Sequence, residues 1–453
     1  MTVKDNSFWL KNKLFRPTAI SAYKQALENE RKSSEEISAL NWLKRKRLVE
    51  YAYDSSSFYK NYYRAEKFSP RDLRSPEDWR FVPVLEKHDL KRFGGLILTE
   101  GTPANSLIRT TTGGSTGSPV MTYRDRRFPE EILKWRMLRR WGVSPSADML
   151  MLWRIPEQAT GNLQRALNYA IWYPTRRHKF DVTVLDLKTL EALFNVLRED
   201  RPEILWGYVG ALEALALHLE SRGYTLDYSP LVWSTAAPLS ANQIKLFQRI
   251  YGGRILDQYA CSEIHWIASN IPGNRRLVVD SDYRHFEISN ENMKGEDPAQ
   301  IGDILLTDLQ NYAFPLIRYR NGDRGRLASS PDGSMLPFDC IDPVRGRISE
   351  MIRSPDGSVL SGEYLTTVFD DCVDLVQQFQ FYQKKDYSVQ IYINLSIDGC
   401  RSVERTREVM ARKKLELSEK LNNQVLFQVC YVEKIEADRG KTRFIQSELN
   451  QGM

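Results

Sequence analysis

Residues 204–235 read "ILWGYVGALEALALHLESRGYTLDYSPLVWST" and combine two apolar runs with one longer amphipathic stretch. Ile204–Tyr208 and Leu231–Thr235 have the length of buried strands, whereas the stretch that begins at Val209 has the length and spacing of a helix. A crossover helix is the usual connection between neighbouring parallel strands. The segment therefore predicts a β-α-β unit and, with it, a parallel sheet.

The same alternation continues on both sides of this unit. "DMLMLW" and "RILDQY" are further apolar runs, and "LKTLEALFNVLRED" and "SANQIKLFQRIYGG" are further helical stretches. The fold class is therefore predicted as α/β. Ligand sites in such sheets lie beyond the carboxyl ends of the strands. We therefore expect three polar stretches to line one crevice: "STAAPLS" and "YACSE", which follow two of the runs, and "TTTGG", which follows an earlier one.

The character of the chain changes after about residue 346. "YSVQIYINLS" alternates apolar and polar residues, as a half-exposed strand does, and it is followed by an amphipathic helix and the strand-like "QVLFQVCYVEKI". We predict two domains: residues 1–346, a large domain of parallel or mixed sheets and helices, and residues 347–453, a small α+β domain.

Composition restricts the function classes. A net charge of +6 over 453 residues, without a concentrated basic stripe, argues against a nucleic-acid partner. The run "KRKR" (Lys44–Arg47) is interpreted as the solvated face of a helix. Five scattered cysteines, the lack of a signal-peptide pattern and the lack of a membrane span predict a cytoplasmic protein.

Small residues fill the stretch from Thr110 to Gly117, which continues as "SPVMTYR". It is predicted to be a tight loop between strands at "GGLILT" (Gly94–Thr99) and "PVMTY". Backbone N–H groups and hydroxyls suit anionic phosphate oxygens. Because no Lys follows Gly117, the loop is not a Walker A motif. On this stretch alone, a structural turn and a phosphate-binding loop both remain open.

Several segments, taken in order, resemble the adenylate-forming superfamily of acyl-CoA synthetases and adenylation domains. They are "TGGSTGSP" (Thr112–Pro119), "YACSE" (Tyr259–Glu263), "GDILLTDLQNYAFPLIRYRNGD" (Gly302–Asp323), "RGRISEM" (Arg345–Met351) and "RGKTRF" (Arg439–Phe444). The long segment that ends at Asp323 is similar to the phenylacetate-CoA ligase branch, and the chain as a whole resembles the CapK-like group, which is often linked to capsular polysaccharide synthesis.

The resemblance implies a large adenylate-forming domain followed by a small mobile domain that carries a catalytic lysine. It implies an AMP-forming ligase that uses ATP and Mg²⁺ to convert a small-molecule carboxylic acid into an acyl-adenylate, with CoA as the acyl acceptor. Two alternatives remain open: transfer to an amine or hydroxyl, for example on a sugar or glycan, and a non-catalytic scaffold that keeps the fold. A homodimer is also left open.

The resemblance also implies site residues. Lys441, Glu263 and Arg347 would be catalytic: Lys441 at the carboxylate and α-phosphate, Arg347 at the ribose or phosphate, and Glu263, together with Thr116, at Mg²⁺. Asp323 would accept hydrogen bonds from the ribose hydroxyls. The other nucleotide-binding residues would be Thr112, Gly113, Gly114, Ser115, Thr116 and Gly117 at the phosphates, Ala236, Ala237, Pro238, Gln258 and Tyr259 at the adenine, and Ser262 in the box before Glu263.

The sequence departs from the family pattern at four places. Ser118 stands where a lysine is frequent, and Ala260 and Ser262 replace the usual glycine and threonine of the box. Ser349 stands where the hinge acid is expected, with Glu350 next to it. These departures bear on hinge mechanics and adenylation rate more than on ATP binding.

Overall fold

The structure is a computed structural model of the 453-residue chain. It describes residues 2–112, 120–155, 170–239, 241–289, 301–330, 335–344, 351–360, 362–365, 368–369, 371–372, 374–433, 435 and 445–450. Within these ranges, no helix is long and apolar enough to cross a membrane.

The described α-helices lie at both ends of the chain and between the central strands. They are α1 Val3–Phe15, α2 Pro17–Asn29, α3 Ser34–Ser55, α4 Ser57–Ala65, α5 Lys87–Ile97, α6 Glu131–Arg140, α7 Leu187–Glu199, α8 Val209–Ser221, α9 Ala241–Tyr251, α10 Gly362–Leu365, α11 Ile397–Arg401 and α12 Val403–Lys420. Short 3-10 helices span Pro70–Asp72, Pro76–Phe81, Ala104–Ser106 and Glu448–Asn450.

The strands are mostly short. They are β1 Leu107–Thr112, β2 Val120–Asp125, β3 Met149–Trp153, β4 Arg177–Asp181, β5 Val184–Leu185, β6 Ile204–Tyr208, β7 Leu231–Thr235, β8 Ile255–Tyr259, β9 Ala268–Asn270, β10 Leu277–Val279, β11 Arg284–Ser289, β12 Gly302–Asp308, β13 Tyr319–Gly325, β14 Leu327–Ala328, β15 Cys340–Ile341, β16 Ile352–Arg353, β17 Val359–Leu360, β18 Val376–Gln383, β19 Val389–Leu395, β20 Phe427–Tyr431 and β21 Ile445–Ser447.

The chain forms two compact units. The first comprises Met1–Thr111, Val120–Ser146 and Leu256–Gly346, and the second comprises Thr112–Pro119, Ala147–Ile255 and Arg347–Met453. The proposed boundary at Gly346–Arg347 is one of the breaks between the units, but the second unit also includes residues far upstream of it. The division into domains 1–346 and 347–453 therefore stays a prediction.

Antiparallel pairing dominates the first unit. Strands β8, β9, β10, β15 and β14 follow one another as antiparallel neighbours. Strands β11, β12 and β13 form a separate antiparallel sheet, and β1 lies beside β2. Buried aromatic residues such as Tyr59, Tyr63 and Phe314 pack together with residues of β12 and β13 in one core. This core supports the strand that carries Asp323.

Parallel strands form the centre of the second unit, as the sequence predicts. Strands β7, β6, β3 and β4 are hydrogen-bonded in that order, all parallel. Helices α7, α8 and α9 supply most of the apolar residues that cover them, including Leu193, Leu212 and Phe247. The prediction of an α/β fold with a parallel sheet is confirmed.

The C-terminal β-α-β prediction is also confirmed within the second unit. Strand β19 alternates buried Val389, Ile391 and Ile393 with half-exposed residues, and it pairs in parallel with β20 after helices α11 and α12. Strand β18 pairs with β19 in the antiparallel sense and with β21 in parallel. Strand β17 pairs instead with β5, so residues 359–360 are hydrogen-bonded to a segment upstream of the predicted domain.

Two local predictions are wrong. Gly94–Ile97 of "GGLILT" belongs to helix α5, which begins with a capping box between Glu86 and Asp89 and buries Leu90 and Ile97. The strand before the glycine loop is β1. The "KRKR" run is not a fully solvated face, since Arg45 is buried with its guanidinium over the ring of Trp79 (4.7 Å to the centroid). Lys44 donates to the carbonyl of Asp282 at 2.7 Å.

Candidate active site

Strand β13 presents Tyr319, Asn321 and Asp323 at alternate positions. The pairing of β13 with β12 shifts register opposite Asp303–Leu305, and Gly322 has a φ of 87°, so the strand does not alternate regularly here, and the hydrogen bonds of the three side chains define the site. The preceding strand β12 fixes the register through pairs such as Leu306 with Tyr319. The segment Gly302–Asp323, which resembles the phenylacetate-CoA ligase branch, thus forms two antiparallel strands, and Asp323 lies on the second of them.

The carboxylate of Asp323 accepts two side-chain hydrogen bonds on Oδ2. The phenol of Tyr259 donates at 3.1 Å and Nδ2 of Asn321 donates at 2.9 Å. Nδ2 of Asn321 is also 2.7 Å from the Tyr259 oxygen, and its Oδ1 accepts from the backbone N–H of Asp323 at 3.0 Å. Tyr259 and Asp323, which are 64 residues apart, are therefore brought together, and Asn321 fixes both.

Glu263 lies in the turn that follows β8. The turn is closed by a hydrogen bond from the backbone N–H of Cys261 to the carbonyl of Ile264 at 3.0 Å. Glu263 is buried, and Tyr319 donates to its Oε1 at 2.8 Å. Trp266 has a φ of 52°, a backbone conformation that is strained for a bulky residue. Such strain is found preferentially at functional sites, which supports a role for this turn.

The protonation states of the buried groups follow from their surroundings. Burial, together with the nearby carboxylate of Asp323, raises the pKa of Tyr259 well above its usual value. Burial and Glu263 do the same for Tyr319. Both phenols therefore stay protonated at neutral pH and act as donors. The pKa of Cys261 is raised by burial and by Glu263, so its thiol is not an activated nucleophile.

Two further predicted residues lie beside this cluster in the chain. Gln258 is on β8, opposite Ser269 of β9, and immediately precedes Tyr259. Ser262 is exposed in the turn before Glu263. The first unit therefore brings together Tyr259, Glu263 and Asp323 through β8 and β13.

Ala236, Ala237 and Pro238 belong to the second unit and directly follow the parallel strand β7. Ala236 has a φ of 73°, in the left-handed region that costs a non-glycine residue about 1–2 kcal/mol. The strained turn lies at the carboxyl end of a parallel strand, which is where α/β sheets place their ligand loops. The predicted contact of these three residues with a nucleotide stays a prediction.

The remaining predicted site residues lie outside the described part of the chain. Gly113–Gly117, with Ser115 and the proposed metal ligand Thr116 among them, fall there, as do Arg347 and Lys441. Thr112 is the last residue of β1, and its side chain is not described. Their roles stay predictions.

Asn321 and Tyr319 were not among the site residues predicted from the sequence. Both lie inside the segment Gly302–Asp323, in "YRNGD", at even spacing before Asp323. No pattern in the sequence marked their roles, because their partners Tyr259 and Glu263 are distant in the chain.

A second charged cluster surrounds His265, two residues after Glu263. Arg284 donates through Nε and Nη2 to the carbonyl of His265 and pairs with Asp308 at 2.6 Å. Glu130 pairs with Arg124 at 2.7 Å and lies 3.9 Å from Nδ1 of His265. Burial and the nearby arginines lower the pKa of His265, so the ring is neutral at pH 7. These contacts fix the segment that follows the Glu263 turn.

Within the described ranges, no group of three or more His, Cys, Asp or Glu side chains is arranged to hold a metal ion. Mg²⁺ in phosphate-transfer sites is commonly held by one or two carboxylates together with substrate phosphates, so a ready-made protein cage is not required. The buried carboxylate of Glu263, fixed by one phenol, fits that donor chemistry.

Comparisons with known proteins give the same family as the motifs. No family model matches the sequence. The chain is 21% identical over 378 residues to the protein CapK of Staphylococcus aureus, a match that covers 80% of this chain and 79% of CapK. It is 25% identical over 342 residues to the phenylacetate-coenzyme A ligase of Escherichia coli (strain K12), a match that covers 71% of this chain and 73% of the ligase.

Solved structures match the fold across almost the whole chain. Crystal structures of 2-hydroxyisobutyryl-CoA ligase in the thioesterification state, with 2-HIB-AMP and CoA, and in the postadenylation state, with R3-HIB-AMP, have TM-scores of 0.58 and 0.57. The first structure is 15% identical in sequence to this protein, and the match covers 92% of this chain and 91% of the ligase chain. The second is 14% identical, and the match covers 93% of this chain and 91% of the ligase chain. At this identity they establish the fold.

The fold and the motifs define an adenylate-forming enzyme, an AMP-forming ligase by class. Within that superfamily, the curated relatives to which the chain is similar are CapK and phenylacetate-CoA ligase. The predicted superfamily, fold class and enzyme class are thereby confirmed.

Proposed function

We propose that this protein activates a carboxylic acid with ATP and then transfers the acyl group to CoA. In the first step a carboxylate oxygen attacks the α-phosphorus of ATP, which forms an acyl-adenylate and releases pyrophosphate. In the second step the CoA sulfur attacks the acyl carbon, and AMP leaves. The observation that carries the proposal is the pair of carboxylates on which β8 and β13 meet: Tyr259 and Asn321 both donate to one oxygen of Asp323, and Tyr319 of the same strand donates to Glu263.

Asp323 is suited to bind the ribose. A carboxylate is an acceptor-only group, and ribose supplies neighbouring hydroxyl donors. Because Tyr259 and Asn321 both donate to Oδ2, the carboxylate is held in one orientation before the nucleotide binds. Gln258 and Tyr259, with Ala236, Ala237 and Pro238, would contact the adenine, as the family resemblance implies.

Glu263 would hold Mg²⁺, with the hydroxyl of Thr116 as a further ligand. The metal, when bound, neutralises charge on the ATP phosphates. What the protein contributes is a buried carboxylate whose orientation is set by the Tyr319 phenol. The residues Thr112–Gly117 would donate backbone and hydroxyl hydrogen bonds to the phosphates, and Arg347 would act at the ribose or phosphate.

Lys441 would join the attacking carboxylate to the α-phosphate with a compact positive charge. The predicted small domain, residues 347–453, would then turn this lysine away to admit the second substrate. Support for the motion is the family resemblance alone. Since β17 is hydrogen-bonded to β5, a motion that begins at residue 347 would have to break this pairing or carry β5 with it.

CoA as acceptor is supported by the similarity to phenylacetate-CoA ligase, whose name specifies that reaction. Transfer to an amine or hydroxyl, for example on a sugar or glycan, is a second candidate, which follows from the resemblance of the sequence to the CapK-like group. A cytoplasmic location belongs to the same proposal, and the five cysteines, all of them free thiols, favour it.

ATP–pyrophosphate exchange over a panel of aromatic, fatty, hydroxy and amino acids tests the first step. We expect exchange with one class of acid and its loss in Asp323→Ala. Exchange with none of them would favour the scaffold alternative. Once the substrate acid is known, the release of AMP is measured after addition of CoA, of an amine or of a sugar. The acceptor that releases AMP decides between the two transfer reactions.

A further inference from the structure

Glu130 is an acid that two arginines from different strands share. It occupies the N-cap position of helix α6, and its side chain is only 14% exposed. Its Oε2 accepts a hydrogen bond from Nη1 of Arg124 at 2.7 Å, and its Oε1 lies 3.7 Å from Nη2 of Arg284. A single carboxylate therefore joins a cation of β2 to a cation of β11.

Arg124 connects this carboxylate to the strands on either side of Gly113–Gly117. It lies on β2, and its Nε donates to the hydroxyl of Thr110 on β1 at 3.3 Å. Its side chain is 20% exposed, and among the described residues Glu130 is the one acid with which it pairs. Glu130 thus fixes the guanidinium that ties the two strands together, through a charge-assisted hydrogen bond.

Arg284 connects the same carboxylate to the turn that carries Glu263. It is buried, and it donates through Nε and Nη2 to the carbonyl of His265 at 3.1 and 2.9 Å. Its Nη1 pairs with Asp308 at 2.6 Å. The next residue, Trp266, has a φ of 52°, and a strained backbone of this kind persists only where its surroundings hold it. Arg284 therefore holds the Glu263 turn from its C-terminal side.

The direct approach of Glu130 to the ring of His265 is the weaker link. Nδ1 of the ring is 3.9 Å from Oε2, and burial, with the nearby arginines, lowers the pKa of His265 to about 3, so the ring is uncharged at neutral pH. Attraction to a neutral ring at this distance is small, whereas the arginine contacts join opposite charges in a partly buried place, where screening is weak. The link from Glu130 to the turn therefore runs through Arg284.

We propose that Glu130 is a positioning residue, which sets the spacing between strands β1 and β2 and the Glu263 turn through its two arginines. The inference rests on the proposed function, in which the residues between these strands bind the ATP phosphates and Glu263 holds their Mg²⁺. Glu130 itself touches neither ligand. An error of about 1 Å in such a spacing slows a reaction by up to about 10²-fold, because the reacting groups are no longer aligned. Asp323 lies outside this chain of contacts, so its binding of the ribose should be unaffected.

Glu130→Gln tests the proposal, because it keeps the size of the side chain and removes its charge. In calorimetric titrations of ATP, we expect the Mg²⁺ concentration for half-maximal effect to rise by about threefold or more, since Glu263 no longer lies in place beside the phosphates. ATP–pyrophosphate exchange should slow by about tenfold or more. The affinity for AMP, which lacks the β- and γ-phosphates, should stay within about twofold of the wild type and shows that the fold is intact.

Glu130→Asp separates geometry from charge. The shorter side chain keeps the negative charge but does not span both arginines, so this variant should fail like Glu130→Gln. Arg127→Gln is the matched control, because it breaks a 2.7 Å pair with Asp125 at the end of β2, and that pair does not reach the Glu263 turn. It should behave like the wild type in all three measurements.

Three results would overturn the proposal. Full activity in Glu130→Asp would assign the effect to charge alone, a wild-type Mg²⁺ requirement in Glu130→Gln would remove the link to Glu263, and a parallel loss of AMP affinity would show a general loss of structure. If the wild type binds ATP with Mg²⁺ but exchanges with no acid, the proposed reaction is wrong, while a raised Mg²⁺ requirement in Glu130→Gln still supports the positioning role. A wild type that binds no ATP would overturn both.

Discussion

The phenol of Tyr259 donates a hydrogen bond to Oδ2 of Asp323 at 3.1 Å, across 64 residues of sequence. The bond joins the end of β8 to β13. Asn321, on the same strand as Asp323, donates to both the Tyr259 oxygen and the Asp323 carboxylate. Burial keeps the phenol protonated by raising the pKa of Tyr259, so the donor is present at every physiological pH. The contact thus fixes the carboxylate to which we assign the ribose.

Asp323→Ala is expected to weaken ATP binding by about 1.5–3 kcal/mol, the range for hydrogen bonds to a charged group. Isothermal titration calorimetry with Mg·ATP measures the change. Asp323→Asn is the matched variant, because it keeps one acceptor oxygen and the size of the side chain, and it should lose less. Unchanged affinity in a folded Asp323→Ala protein would remove the ribose assignment.

Asn321→Ala tests the role of Asn321 as a positioning residue. The variant keeps Asp323 but removes one donor to its carboxylate and the acceptor for its backbone N–H. Because Asn321 orients Asp323 and does not itself touch the nucleotide in this proposal, we expect a smaller effect than in Asp323→Ala: a rise in the KM for ATP of about 2- to 12-fold with little change in kcat. A fall in kcat at unchanged KM would show that Asn321 acts in the reaction itself.

Glu263→Gln should raise the Mg²⁺ concentration needed for half-maximal exchange by tenfold or more, since a neutral amide replaces a charged ligand of a hard cation. Tyr319→Phe is the informative companion. It leaves the carboxylate but removes its 2.8 Å donor, so we expect a smaller shift in the same direction. A Mg²⁺ dependence identical to the wild type in Glu263→Gln would place the metal elsewhere.

The sequence predicted the framework of this site better than its details. Strands β3, β6 and β7 were recognisable because buried parallel strands are continuous apolar runs. "GGLILT" was predicted as a strand for the same reason, because a short apolar run shows neither the period of a strand nor that of a helix. In the structure most of it belongs to helix α5, which begins with a capping box at Glu86. Arg45 and Lys44 looked solvent-facing because their partners, Trp79 and the Asp282 carbonyl, are distant in sequence.

A buried ion cluster in the first unit gives a prediction about stability. Arg136 is fully buried, and it pairs with Asp280 and Asp282 at 2.8 Å each. Asp282→Ala would remove one of the two carboxylates that neutralise the buried charge of this arginine. We expect the free energy of unfolding in urea to fall by about 3–5 kcal/mol. Asp374→Ala, which breaks an exposed pair with Arg405, should cost about 1 kcal/mol or less.

The same cluster predicts a pH dependence. Burial opposes ionisation of Asp282, but the guanidinium of Arg136 outweighs it, and the pKa of Asp282 is lowered. A lowered folded-state pKa stabilises the protein fully above the unfolded value, near about 4, and this contribution is lost as the pH falls through the folded value. Below about pH 4 the wild type should therefore lose stability more steeply than Asp282→Asn. Parallel slopes would contradict the assignment.

Lys441 is the residue whose proposed role depends most on the reaction itself. Its ammonium would be needed while negative charge is shared between the attacking carboxylate and the α-phosphate, which makes it a transition-state contact. Lys441→Ala should slow ATP–pyrophosphate exchange by about 10²-fold or more while ATP affinity stays nearly unchanged.

The matched control is Lys414→Ala, which removes an exposed lysine of α12 and should exchange at the wild-type rate. Thioester formation from a supplied acyl-adenylate should survive in Lys441→Ala, because the adenylation transition state is bypassed. Loss of both half-reactions would point to a structural role, and full exchange would remove Lys441 from the catalytic residues.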